Sequence, residues 1–242
     1  MIYSKFRDSF KSSEYYQKEL QRCDSCIRRL RGKSAEVKDM SRFYSVINHY
    51  LENKIEILYV LYEEPVVIEK SVDEYIDNLR KNCQLGKDKL TYNEIVFTLS
   101  WVILLEMDVS KVAFILEYML PEKYVDASLD LIRNRVFGEK CSTDKKFYFK
   151  DKGYFGDYTK SEGGLLNVFL SPKENQTEEF IKFLKEIKQK HYNRLIKYYE
   201  SIEEDRYTYT GSFDYRLTAV AKILNLNKEA LAESKFIAAD LL

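Results

Sequence analysis

Cys23 and Cys26 form a CxxC pair, a spacing that can set two thiolates on one metal ion or two sulfurs in one redox couple. A zinc site needs about four ligands. The other thiols, Cys83 and Cys141, are isolated, and the only histidines are His49 and His191. A thioredoxin-like motif follows a strand, whereas both flanks here have helical spacing. The pair is therefore expected to be two small residues on a helix, with no metal and no cofactor. Arg42 and His49 lie seven positions apart, with six residues between them, and offer a clamp for phosphate charge and an acid–base group. Two such positions share a helix face by geometry alone, so a packed or surface histidine is the simpler expectation. Lys145, Lys146, Lys150, Lys152 and Lys160 interleave with Phe147, Tyr148, Phe149, Tyr154, Phe155 and Tyr158. Cations that follow phosphates and rings that stack on bases suit a single strand. The plainer expectation is a loop whose rings enter the core while its lysines face water. There is no nucleophile elbow and no Gly-rich phosphate loop. The pairs Glu63/Glu64, Glu178/Glu179 and Glu203/Glu204 read as solvated helix faces. The chain is expected not to be an enzyme.

The least usual stretch runs from Tyr198 to Tyr215. It holds Tyr198, Tyr199, Tyr207, Tyr209, Phe213 and Tyr215 among Glu200, Glu203, Glu204, Asp205 and Asp214. Rings bury large area at low entropic cost, and the surrounding charges select the partner. An acidic patch of this kind suits a basic protein. The candidate partner-binding residues are Glu200, Glu203, Glu204, Asp205, Tyr207, Tyr209, Phe213 and Asp214.

The elements that must carry these residues are helices. The chain of 242 residues has only 8 Gly and 3 Pro, too few for the frequent turns of a β fold. The expectation is an all-α, compact multi-helix bundle of about eight helices. Helices are expected over Lys5–Arg31, Ser34–Tyr62, Val66–Lys81, Thr91–Met107, Asp108–Leu120, Tyr124–Val136, Asn175–Glu200 and Phe213–Leu224, with a short helical tail from Lys228. Residues 139–164 read as a loop. A soft boundary near Pro121 divides the chain into 1–120 and 121–242. The 39 basic and 39 acidic residues give no global attraction to nucleic acid or anionic lipid. The charged start lacks the apolar core of a signal peptide, and the apolar run at Trp101–Leu105 is too short to cross a bilayer. A cytoplasmic protein with reduced thiols, no membrane and no direct nucleic-acid partner is expected.

The C-terminal stretch resembles the PoNi-type immunity proteins, which neutralise polymorphic DNase toxins of bacterial competition systems. The resemblance rests on Tyr198-Tyr199-Glu200-Ser201, then Tyr209-Thr210-Gly211-Ser212-Phe213-Asp214-Tyr215-Arg216, then Ala219-Val220-Ala221-Lys222-Ile223-Leu224, and finally Asp240-Leu241. Lys54 to Leu79 looks like the family's N-terminal half. Phe213 stands where the family has Trp, Arg216 where it has Glu, and Ile202 where a His is common. The resemblance implies an all-helical, non-enzymatic, cofactor-free cytoplasmic protein, monomeric or weakly dimeric. It implies that 1–120 and 121–242 are the family's two helical halves. Its partner would be a cognate nuclease toxin, whose basic DNA-binding site the acidic-aromatic surface covers. The alternatives are a helical HEPN-like ribonuclease using Arg42 and His49, or a nucleic-acid-binding helical module.

Overall fold

The structure is a computed structural model and describes residues 11–61, 63–86, 90–118, 127–138, 164–185, 213–234 and 236–242. These residues form helices and no strand, so the chain is all-α as its apolar spacing requires. They gather into two compact units. One takes the described residues of Met1–Thr91 and Ser110–Met119; the other takes those of Tyr92–Val109, Leu120–Tyr207 and Phe213–Leu242. The boundary expected near Pro121 lies outside the described residues.

The first unit is built on α1 (Ser13–Gly32), α2 (Met40–Val60) and α3 (Pro65–Cys83). Helix α1 starts later than Lys5, because Ser12 is extended and its Oγ accepts from the Tyr15 N–H at 3.2 Å. That side chain satisfies an amide which the helix itself leaves unpaired. Helix α2 starts at Met40 rather than Ser34. Ser34–Glu36 is a 3-10 turn, and Asp39 Oδ1 accepts from the Arg42 N–H at 3.0 Å. Pro65 opens α3 at the position where a missing N–H costs nothing.

Helices α1, α2 and α3 bury Tyr16, Cys23, Ile27, Phe43, Ile47, Leu51, Ile55, Val72, Tyr75 and Leu79. Between α2 and α3 the core is also polar. Asn78 Nδ2 donates to Asn48 Oδ1 at 2.5 Å and to Tyr44 O at 3.0 Å. Ser41 Oγ donates to Asn82 Oδ1 at 3.2 Å, and Tyr75 OH donates to Glu52 Oε1 at 2.8 Å. These bonds fix the register of the two helices, because buried polar groups tolerate no slip to unpaired positions. Asn78→Ala removes both donors at once. It is expected to lower the unfolding free energy by about 1–3 kcal/mol. A chemical-denaturation midpoint equal to that of the unaltered chain contradicts the proposed register lock.

The fifth helix expected over Asp108–Leu120 is not continuous. Val109–Val112 is a 3-10 turn, and only α5 (Ile115–Tyr118) is helical beyond it. From Ser110 onward this segment is fastened to α3. Lys111 Nζ reaches Asp73 Oδ1 at 2.8 Å and Glu69 at 3.5 Å, and Arg80 donates to Lys111 O at 2.7 Å. The Arg80 guanidinium also lies 5.1 Å from the Phe114 ring centroid. Bonds made to α3 replace those of a continuous helix.

The second unit contains α4 (Tyr92–Leu104), α6 (Ala127–Phe137), α7 (Gly164–Leu170), α8 (176–185), α9 (Tyr215–Ile223) and α10 (Lys228–Leu231). Helix α4 is buried on nearly every side, as its mostly apolar sequence predicts, and α9 and α6 pack against it. Ala219 and Ala221 on α9 are fully buried, and small side chains let helix axes approach closely. Helix α6 ends at Gly138, whose φ of 72° is the left-handed turn that glycine adopts freely.

Helix α7 falls partly in the region read as loop. Its run Leu165, Val168 and the half-buried Phe169 is too short for its period to stand out. The following helix does not open on an Asn175 cap. Pro172 precedes a 3-10 turn over Lys173–Asn175 that leads into α8. The remainder of the helix expected to run to Glu200 lies outside the described residues.

Candidate functional site

Of the acidic-aromatic residues, the structure describes Phe213, Asp214 and Tyr215. Glu200, Glu203, Glu204, Asp205, Tyr207 and Tyr209 lie outside the described residues, as does the Lys145–Lys160 segment. Phe213 and Asp214 are half-buried at the entry to α9. The Phe213 ring meets Trp101 edge-on at 6.1 Å, and the Tyr215 ring meets Phe97 edge-on at 5.0 Å. Asp214 is the N-cap of α9, its Oδ1 accepting from the Leu217 N–H at 2.9 Å. Its own N–H donates to Phe236 O at 2.7 Å. The end of the acidic-aromatic run is therefore anchored by ring packing and by a helix cap.

The described part of the C-terminal motif beyond Tyr215 is also held by internal bonds. Thr218 Oγ1 donates to Asp214 O at 2.8 Å and accepts from the Ala238 N–H at 3.1 Å, which ties the final residues to α9. Asp240 and Leu241 sit in a 3-10 turn over Ala239–Leu241. Lys222 Nζ donates to Leu104 O at 3.0 Å and pairs with Glu106 at 3.0 Å. It caps the C-terminus of α4 with a cation, where the helix dipole favours one. The hydrogen bond and charge of Lys222 hold the Glu106 carboxyl below its ordinary range. Glu106 has φ 54°, and the Met107 N–H donates to Val102 O at 3.0 Å, so α4 closes in a Schellman turn without a glycine. A left-handed conformation is uncommon for a non-glycine residue, and the Lys222 contacts are made at this turn.

Helix α9 closes the same way. Asn225 has φ 52°, and the Leu226 N–H donates to Ala221 O at 3.0 Å. A cleft of about 640 Å³ opens beside these two helix ends, lined by Ile103, Glu106, Arg135, Lys222, Asn225 and Lys228 among others. The Lys222 and Glu106 charges in it are spent on each other, so the cleft has no free acid–base pair of its own.

The CxxC pair sits on α1. Cys23 is buried, and burial pushes its thiol up to about 12. A group so protonated at neutral pH is neither a nucleophile nor a ligand. Cys26 is half-buried and its sulfur takes a 3.9 Å contact from Arg29. The hydrogen bond to Cys26, followed by desolvation, raises the titration of Tyr50. Among the described residues no group of His, Cys, Asp and Glu could hold a metal ion, and no helix is long and apolar enough to cross a membrane.

Arg42 and His49 are both exposed on α2, and the same face carries Ser45 and Asn53. His49 Nε2 lies 3.4 Å from Asn53 Nδ2. No carboxylate orients the ring among the described residues. Seven residues of helix separate Arg42 from His49 by about 10 Å along the axis, within reach of one extended substrate.

The residues that the sequence reading passed over are Arg28, Lys33 and Lys38, which precede Arg42 on the same exposed elbow between α1 and α2. The whole-chain balance of charge conceals them; a local count would have found them. No family model, curated protein or solved structure matches the chain.

Proposed function

We propose that the chain is an immunity protein that binds a cognate nuclease toxin and neutralises it by covering its basic DNA-binding site. The observation that carries this reading is the ordered motif series over residues 198–224 and 240–241, with an acidic-aromatic run at its start. A nuclease must hold phosphates with Lys and Arg, so a surface of carboxylates and rings complements it in charge and fills its pockets. The anchoring of Phe213 and Asp214 at α9 is consistent with a recognition segment held at one end by a packed helix. The test asks whether the neighbouring gene encodes a toxin with a nuclease domain and, where it does, co-expresses that toxin with this chain. Protection of the host and a stable complex are expected. Full toxicity, or no complex at micromolar concentration, overturns the proposal.

One observation favours a second reading, a helical ribonuclease. Arg42 and His49 are exposed together on one face of α2 instead of being consumed in the core. The purified chain is nonetheless expected not to cleave RNA, because no second acid–base group accompanies them among the described residues. Cleavage that disappears in both Arg42→Ala and His49→Ala would install the second reading in place of the first.

A further inference from the structure

From the elbow that joins α1 to α2 we infer a second interaction surface, one that binds the phosphate backbone of nucleic acid. Residues 28–42 carry six cations, Arg28, Arg29, Arg31, Lys33, Lys38 and Arg42, against two carboxylates, Glu36 and Asp39, in a chain whose net charge is zero. All six cations are exposed. Arg31 is held by Glu74 at 2.5 Å, and Arg29 meets only the Cys26 sulfur at 3.9 Å. The side chains of Arg28, Lys33, Lys38 and Arg42 make no ion pair or hydrogen bond among the described residues. Some cations elsewhere are committed, Lys54 to Asp24, Lys111 to Asp73 and Lys222 to Glu106; what sets the elbow apart is the number of exposed cations within fifteen residues.

Helix stability does not account for the elbow. Arg29 and Arg31 stand in the last turn of α1, where the helix dipole favours positive charge. Lys38 and Arg42 flank the start of α2, where the same dipole opposes positive charge. Asp39 caps the helix between them by accepting the Arg42 N–H, while the Lys38 and Arg42 side chains form no ion pair among the described residues and stay available to a partner.

The chemistry of the surface selects the partner. The large exposed apolar side chains of the described residues are Val66, Val67, Leu85, Val109, Leu116 and Leu170, and none is on the elbow. A membrane-surface segment inserts apolar side chains, and a protein hot spot needs aromatic anchors. Uncommitted guanidinium and ammonium groups without either suit a phosphodiester backbone, read by charge and not by base. A basic nuclease would be repelled from this face, so the inference stands apart from the proposed toxin binding and can fail separately.

The experiment is fluorescence anisotropy with labelled single-stranded RNA and duplex DNA of about 20 nucleotides, titrated with the full chain across a range of salt. Micromolar binding at about 50 mM salt is expected. Four free cations predict a slope of log K on log salt of about −3 for the single strand and nearly −4 for the duplex. The Arg28→Glu/Lys33→Glu/Lys38→Glu variant is expected to bind at least about tenfold more weakly and to lose most of that slope. It leaves Arg42 and His49 in place, so any RNA cleavage is scored independently. A control variant, Lys70→Glu/Lys173→Glu/Lys182→Glu, carries the same charge change on other exposed positions. Circular dichroism confirms that both variants fold. Three results overturn the inference: no binding by the unaltered chain, equal loss in the control variant, or binding to phosphatidylserine vesicles without binding to either nucleic acid.

Discussion

Trp101→Ala is expected to be the most destabilising single truncation in the second unit, at about 3–5 kcal/mol. Trp101 is the one tryptophan of the chain and is fully buried in α4. Its ring lies 6.3 Å from that of Phe97 and edge-on to Phe213 at 6.1 Å. Removal of the indole loses its transfer free energy and leaves a cavity that neighbouring rings and helices fill only in part. Native stability is roughly 5–15 kcal/mol, so this one change removes a large share of it. The entry to α9 should loosen with it, because Phe213 loses the ring it rests on. Urea unfolding followed by circular dichroism measures the effect without relying on the fluorophore removed. A loss below about 1 kcal/mol would mean that the site collapses around the gap and that Trp101 is not central to the core. Val66→Ala is the matched control, since Val66 on α3 is 56% exposed and its truncation should change little.

The parts of the fold legible in the sequence were those with a long apolar period. Helix α4 is an example: a helix apolar on nearly all sides has few places to go except a core. Helix starts were less legible, because two candidate caps often lie a few residues apart. Ser34 and Asp39 both precede the α2 pattern, and only the accepted Arg42 N–H decides for Asp39. The 110–118 segment was misjudged for another reason. Its apolar residues suit a helix, but its bonds go to Asp73, Glu69 and Arg80, far away in sequence. Propensity gives way to such tertiary contacts.

At the candidate site the same limit applies. Asp214 reads as one more carboxylate in an acidic run, yet it caps a helix, and the apolar run three residues later was the available signal. Lys222 belongs to a recognisable motif, but its partner Leu104 O is a backbone atom of another helix that no side-chain pattern marks. Much of what makes the C-terminal series distinctive is thus the joining of α9 to α4 and to the final residues. Recognition, on the proposed reading, falls to the residues before Phe213.

A charge-reversed chain, Glu203→Lys/Glu204→Lys/Asp205→Lys, is expected to associate with the cognate toxin at least about tenfold more slowly at low salt. The cause is the long-range field. On the proposed reading, three carboxylates would draw a phosphate-binding cleft in and three lysines would push it away. The penalty should shrink as salt rises, since the Debye length falls from about 10 Å at 0.1 M to about 3 Å at 1 M. Ring truncation should behave differently. If Tyr207 or Tyr209 fills a pocket at the interface centre, its change to alanine costs about 2 kcal/mol, roughly a thirtyfold loss of affinity, and the loss appears in the dissociation rate. Surface plasmon resonance at several salt concentrations separates the two effects. Association that is unchanged by the reversal and insensitive to salt would remove the electrostatic half of the proposal. Unchanged dissociation in both ring variants would remove the other half and move the search for the interface away from residues 200–214. The elbow cations give an internal standard for the same measurement. Reversing Arg28, Lys33 and Lys38 should leave toxin association unchanged or faster, because those charges repel a basic partner.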